Sequence, residues 1–188
     1  SRKTAGENPF FTEWDTPHGV PPFDKILPEH FMPAFERGMS LHEAEIDAIT
    51  SNKDEATFEN TILAYDNAGQ MLAQTELVFG MLCAAETNDR MQALQEQAMP
   101  LLAAHRDKIR LDDKLFVRVK EVYDRRAALG LDAEQMRLLQ KTYDSFVRAG
   151  ALLDAEQKAR LKEINGQLSL TAVKFGNNIL AENNNFVL

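Results

Sequence analysis

The placement of proline constrains this chain more than any other feature. Five of its seven prolines lie within residues 8–28, and only Pro33 and Pro100 follow. Proline has no amide hydrogen and clashes with the preceding helical turn, so residues 8–28 cannot form a helix. The remainder of the chain is free to be helical.

The first 28 residues are predicted to form an extended strap, distinct from a helical domain over residues 29–188. The strap is too apolar for a loose tail, because it carries Phe10, Phe11, Trp14, Phe23, Ile26 and Leu27. We expect it to lie across the helices with Trp14 and Phe23 buried. A mobile arm is the alternative.

Beyond Pro28, apolar residues recur at the three- and four-residue spacing of helices. Together with capping signals, this pattern predicts six long helices, at about 29–50, 57–85, 89–110, 112–129, 132–150 and 154–181. The links between them are short, which favours antiparallel neighbours. The predicted fold class is therefore all-α, an antiparallel helical bundle or array with an N-terminal strap.

Several local features sharpen this prediction. Pro100 should kink or break the third helix near Met99. The motif Asp-Ala-Glu-Gln occurs at 132–135 and at 154–157, and each copy should cap a helix start. The inward stripe of the sixth helix should be Leu161, Ile164, Leu168, Phe175 and Ile179. The run of asparagine at 183–185 should form a turn, with a strand beginning at 186–188, which suggests an excerpt from a longer protein.

Composition narrows the possible partners. The 188 residues include 21 Lys plus Arg and 29 Asp plus Glu, a net charge of −8. This charge argues against nucleic acid or an anionic membrane as the main partner. No apolar run is long enough for a membrane helix. The single cysteine, Cys83, excludes an internal disulfide framework and a multi-cysteine zinc site.

No catalytic, cofactor-binding or metal-binding residue is predicted in this chain. A zinc-peptidase helix needs two histidines four residues apart, and none of His18, His30, His42 and His105 meets that spacing. His42-Glu43 begins such a motif, but Ile46 stands where the second ligand should be. His105 is expected to be a partly buried histidine bonded to a neighbour, and Cys83 a small core residue.

The order of several segments nevertheless resembles a known family. They are Asn-Pro-Phe-Phe at 8–11, Pro-Pro-Phe-Asp-Lys-Ile at 21–26, Glu-His-Phe-Met-Pro-Ala-Phe at 29–35, Ala-Thr-Phe-Glu-Asn-Thr-Ile at 56–62, Phe-Val-Arg-Ala-Gly-Ala-Leu at 146–152 and Phe-Gly-Asn-Asn-Ile-Leu at 175–180. From Asn8 onward the chain resembles the N-terminal part of the thimet-oligopeptidase family of zinc metallopeptidases. Within that family it resembles the peptidyl-dipeptidases more than oligopeptidase A.

This resemblance implies a longer helical enzyme whose two halves face each other across a channel. The zinc ligands would lie in the C-terminal catalytic half, outside these residues. This chain would then be a non-catalytic N-terminal domain that forms one wall of the channel. Its partners would be the catalytic half and short peptide substrates, with no nucleic acid or membrane. The expected location is the cytoplasm, or the periplasm if a leader precedes Ser1. A free-standing helical adaptor module is the alternative.

A domain that faces a partner should keep surplus apolar surface. The second halves of the second and sixth helices are the predicted places. Their surplus residues are Leu77, Met81 and Ala85 in one helix, and Leu170, Val173 and Leu180 in the other.

Overall fold

The computed structural model describes residues 7–85 and 88–185, and within these ranges the regular structure is entirely helical. The all-α prediction is confirmed. The helices are α1 (Phe31–Ser51), α2 (Ala64–Asp66), α3 (Gln70–Ala85), α4 (Asp89–Arg110), α5 (Asp113–Asp124), α6 (Ala133–Arg148) and α7 (Ala155–Asn185). A π-helical segment, Phe58–Leu63, leads directly into α2. No helix in the described ranges is long and apolar enough to cross a membrane.

The predicted helix starts are confirmed where a side chain caps the first turn. Thr57 accepts a hydrogen bond from the Asn60 amide at 3.1 Å, and Asp112 accepts one from the Leu115 amide at 2.8 Å. Both Asp-Ala-Glu-Gln motifs form reciprocal capping boxes. These local bonds satisfy amides that have no partner within the helix.

Two predictions about continuity were wrong, and a third was wrong in part. The second helix is interrupted at Gly69, which adopts a φ of +75° and separates α2 from α3. Conversely, the break predicted as one outcome at Pro100 is absent, since α4 runs unbroken through it; the other outcome, a kink near Met99, stays a prediction. Helix α7 also continues through the asparagine run to Asn185, where a turn was predicted. The strand predicted at 186–188 lies outside the described residues.

The core consists of two apolar clusters, and helices α1 and α4 contribute residues to both. The first joins the strap, the first half of α1, α3 and most of α4, and includes Phe10, Phe31, Phe35, Phe79 and Leu102. The second joins the end of α1, the π-helical segment, α5 and α6, and includes Ile46, Ile62, Leu115, Leu139 and Phe146. Between the two clusters lies a row of polar residues, His42 and Glu43 of α1 with His105 and Lys108 of α4, which we call the polar seam.

The strap docks, but not entirely as predicted. Phe10 and Ile26 are buried in the first cluster, and Trp14 packs against that cluster while partly buried. Phe23 is 39% exposed, so its predicted burial was wrong. Lys25 and Ile26 both donate backbone hydrogen bonds to the carbonyl of Pro22, and this tight turn directs Ile26 inward instead. The division into separate units at residue 28 stays a prediction.

Helix α7 lies antiparallel along α4. At the start of α7, Lys158 pairs with Asp113 of α5. Further along, Asn165 donates to Asp107 of α4 at 2.9 Å, and Asn177 donates to Glu96 of α4 at 3.3 Å. The partner positions run in opposite directions along the two helices, which defines the orientation. These polar contacts define which face of α7 turns toward α4. Val173 lies between them along the helix and is buried.

Candidate functional site

The polar seam between the two clusters is centred on a pair of histidines. His42 Nδ1 of α1 and His105 Nε2 of α4 lie 3.0 Å apart, so one ring nitrogen must donate a hydrogen bond to the other. His105 is only 5% exposed and His42 is half-buried. The prediction that His105 bonds to a neighbour is confirmed. Its partner, 63 positions earlier, was not predicted.

Charged groups surround the pair on both helices. Glu43 lies 3.5 Å from His105 Nδ1, too far for a well-formed hydrogen bond, and pairs with Lys108 at 2.8 Å. Glu45 accepts a hydrogen bond from the Gly69 amide at 2.7 Å. Arg106 of α4 pairs with Glu76 of α3 at 3.4 Å. Both side chains line a cavity that His42 and His105 also border. The seam therefore ties together α1, α4 and the turn that begins α3.

The surroundings favour neutral rings in the histidine pair. Burial lowers the pKa of His42 below its ordinary value of 6.5, and the neighbouring His105 lowers it further. Burial is also the main cause of the lowered pKa of His105, although Glu43 opposes that shift. The hydrogen bond from Lys108 lowers the pKa of Glu43. Near neutral pH the pair is thus an uncharged N–H···N bond beside a separate ion pair.

This seam does not resemble a metal centre. Within the described residues, no group of three or more His, Cys, Asp or Glu side chains is placed to hold a metal ion. Two converging imidazoles alone would be a weak ligand set for zinc, which in catalytic sites takes three protein ligands. The described residues therefore offer no ligand set for zinc, whose ligands the resemblance places outside this chain. What the seam can do is join helices through bonds that depend on protonation.

A second feature is the apolar surface of α3. Leu77 and Met81 are exposed, at 65% and 49%, and Ala73 and Ala84 lie on the same side of the helix. Phe79 points the other way and is buried. The predicted surplus apolar surface is therefore present at Leu77 and Met81. The side chain of Ala85 lies outside the described residues.

Helix α7 carries a similar surface, rotated from the predicted one. The stripe predicted to face inward is mostly exposed: Leu168 is 63% exposed and Phe175 65%, and Ile164 and Ile179 are exposed as well. Val173, predicted as surplus surface, is buried against α4, while Leu170 is exposed as predicted. Asn165 and Asn177 bond to α4 and therefore lie on the inward face of α7. The stripe that was predicted to face inward is consequently turned outward. The side chain of Leu180 lies outside the described residues.

Comparison with known proteins identifies relatives of this amino-acid sequence. Dipeptidyl carboxypeptidase of Escherichia coli K12 is 41% identical over 94% of the chain. The chain is homologous to these peptidases. The corresponding protein of Salmonella typhimurium is 38% identical over 93% of the chain, and oligopeptidase A of E. coli K12 is 24% identical over 88%. No family model matches the chain.

The matched region is only a fraction of each relative. The chain spans 26% of the length of the two dipeptidyl carboxypeptidases and 24% of oligopeptidase A. The resemblance to the N-terminal part of this group of peptidases is confirmed, and the identity to the two dipeptidyl carboxypeptidases exceeds that to oligopeptidase A, as predicted. About three quarters of each relative has no counterpart in these residues.

Proposed function

We propose that this chain is the non-catalytic N-terminal domain of a zinc-dependent peptidyl-dipeptidase, an enzyme that releases C-terminal dipeptides from short peptides. The observation that carries the proposal is the 41% identity over 94% of the chain but 26% of the relative. Identity at this level along the whole matched region supports a common fold and a common role.

The domain would form one wall of the substrate channel, and the rest of the same polypeptide would supply the catalytic groups. Zinc, held there, would supply the activated water that attacks the peptide bond. Two observations support this division. The described residues offer no group of ligands for a metal ion, and α3 and α7 carry apolar surface that nothing in the described ranges covers. A cytoplasmic location is part of this proposal, and a periplasmic one, with a leader before Ser1, is the alternative.

The test is to obtain the full reading frame that encodes this chain and to purify its product. The full-length protein should release dipeptides from the C-terminus of N-blocked tetrapeptides, with products identified by mass spectrometry. A zinc chelator should abolish release and added zinc should restore it. Internal cleavage without dipeptide release would instead favour an oligopeptidase A-like activity.

The 188-residue chain serves as the matched control. It should release no dipeptide and retain no stoichiometric zinc after dialysis. Chelator-sensitive peptidase activity in the pure chain would overturn the non-catalytic role. A reading frame that holds no further domain would favour the adaptor module.

A further inference from the structure

The exposed apolar faces of α3 and α7 are parts of one surface. Helix α4 lies between them and contacts both: Arg106 pairs with Glu76 of α3, and Asp107 bonds to Asn165 of α7. Gln95 and Met99 of α4 line a shallow cavity with the second half of α3. The three helices can therefore be placed around the α4 axis by residue position alone.

Each helical residue advances by about 100° around the axis. With His105 facing α1, Arg106 and Met99 face α3 at about 100–120° around α4. Asp107 and Glu96 face α7 at about 180–200°. Helices α3 and α7 thus flank α4 at close to a right angle, and both run antiparallel to it, as their paired residues show.

In this arrangement Leu77 of α3 and Leu168 of α7 turn toward the same corner. Ala73 and Ala84 continue the α3 side of that corner, and Ile164 continues the α7 side. Phe175, close to the direction of Leu168 on α7, continues that side as well, and Met81 stands at the rim. We call this surface, with Gln95 and Met99 as its floor, the corner trough.

We propose that the corner trough binds one helix from the remainder of the peptidase polypeptide, the part that this chain does not span. This inference rests on the proposed function and adds the docking surface. Neighbouring helix axes lie about 8–10 Å apart, so one helix would fit the corner beside α3 and α7, with its side chains reaching the floor on α4. The occupant would complete a four-helix square around a new apolar core.

The chemistry of the trough favours this occupant over a peptide substrate. A channel for varied peptides needs free backbone or side-chain groups that bind the peptide main chain. The trough walls are helix surfaces, whose backbone groups are already paired, and their exposed residues are mainly Leu, Ile, Met and Ala. Glu76 is the one charged residue in α3. Such a surface is typical of a permanently covered interface.

Hydroxyl-radical footprinting of the full-length protein and of the 188-residue chain tests the proposal. In the chain, Met81 and Leu168 should oxidise readily, as should the exposed controls Leu152 and Phe23. In the full-length protein, oxidation of Leu168 should fall at least tenfold while Leu152 changes little. Dipeptide release is measured on the same sample, so that failure of the proposed function is seen separately.

A pair of variants gives a second readout. Leu168 and Leu152 are each 63% exposed, but only Leu168 lies in the trough. Leu168→Glu and Leu152→Glu should each shift the melting temperature of the 188-residue chain by less than about 2 °C, as surface substitutions usually do. In the full-length protein only Leu168→Glu should lower it, by about 5 °C or more.

Equal oxidation of Leu168 in both proteins would overturn the proposal. So would protection of Leu168 in the full-length protein that is lost on dilution, since that would identify a second copy as the occupant. Protection that appears only when peptide is added would identify a substrate surface instead.

Discussion

At the scale of single residues, the seam between the two clusters is the most sensitive part of the molecule. His42 and His105 occupy positions on α1 and α4 that would otherwise continue the apolar stripes. Their bond is available only while at least one ring is neutral, because two protonated rings would repel each other at 3.0 Å. The seam should therefore respond to pH where the apolar clusters do not.

Lowering the pH should weaken the fold through these histidines. Their pKa values are lowered in the folded chain, so the unfolded chain takes up protons first as pH falls. Their contribution is present in full above about pH 6.5 and declines below it. Urea unfolding at pH 7.5 and 5.5 measures the effect. Between these two pH values, the free energy of unfolding should fall less for His105→Gln than for the wild type. His18→Gln, an exposed control, should behave like the wild type. The same loss in all three proteins would contradict this account.

The turn at Gly69 should tolerate no side chain. Its φ is +75°, and an added Cβ would lie 2.9 Å from His42 Nδ1. The left-handed conformation alone costs about 1–2 kcal/mol for an ordinary residue, so Gly69→Ala should lower the free energy of unfolding by at least that amount. Gly80→Ala is the control, because Gly80 is helical with open space around it. This substitution should raise the free energy of unfolding of the chain by roughly 0.5–1 kcal/mol. Denaturant titration measures both, and equal effects would refute the argument.

At the scale of elements, start and stop signals were readable from the sequence because they are local. The predicted bounds of α4 and the capping boxes of α6 and α7 match the structure. The break at Gly69 was hidden because Tyr65 and Leu72 keep helical spacing across it. The rotation of α7 could not be predicted, since it depends on bonds from Asn165 and Asn177 to a helix far away in sequence. The histidine pair was invisible for the same reason.

Phe10 and Phe23, near the two ends of the strap, should contribute unequally to the stability of the fold. Phe10 is 7% exposed and contacts Phe31, with ring centroids 5.3 Å apart. Phe10→Ala should therefore destabilise the chain by about 3 kcal/mol or more. Phe23→Ala should cost no more than about 0.5 kcal/mol, as an exposed site should. Thermal melts of the two variants compare them directly, and equal losses would mean that the strap is not docked through Phe10.

At the scale of the whole molecule, surplus apolar surface is the feature that links structure to function. Exposed apolar patches of this kind promote association when their natural cover is absent. The 188-residue chain should accordingly self-associate at high concentration. Sedimentation velocity over a concentration series should show this, and Leu77→Glu should reduce it. A wild-type chain that stays monomeric throughout would contradict the assignment of this surface as an interface.

The most direct measurement of the central claim is reconstitution of the enzyme from two pieces. This chain and the separately produced remainder of the reading frame should each release no dipeptide from an N-blocked tetrapeptide. Mixed at equal concentration with zinc, they should regain dipeptide release, and Leu168→Glu in this chain should weaken the recovery. Full activity in the remainder alone, or in this chain alone, would contradict the claim that this is a non-catalytic domain on which the peptidase depends.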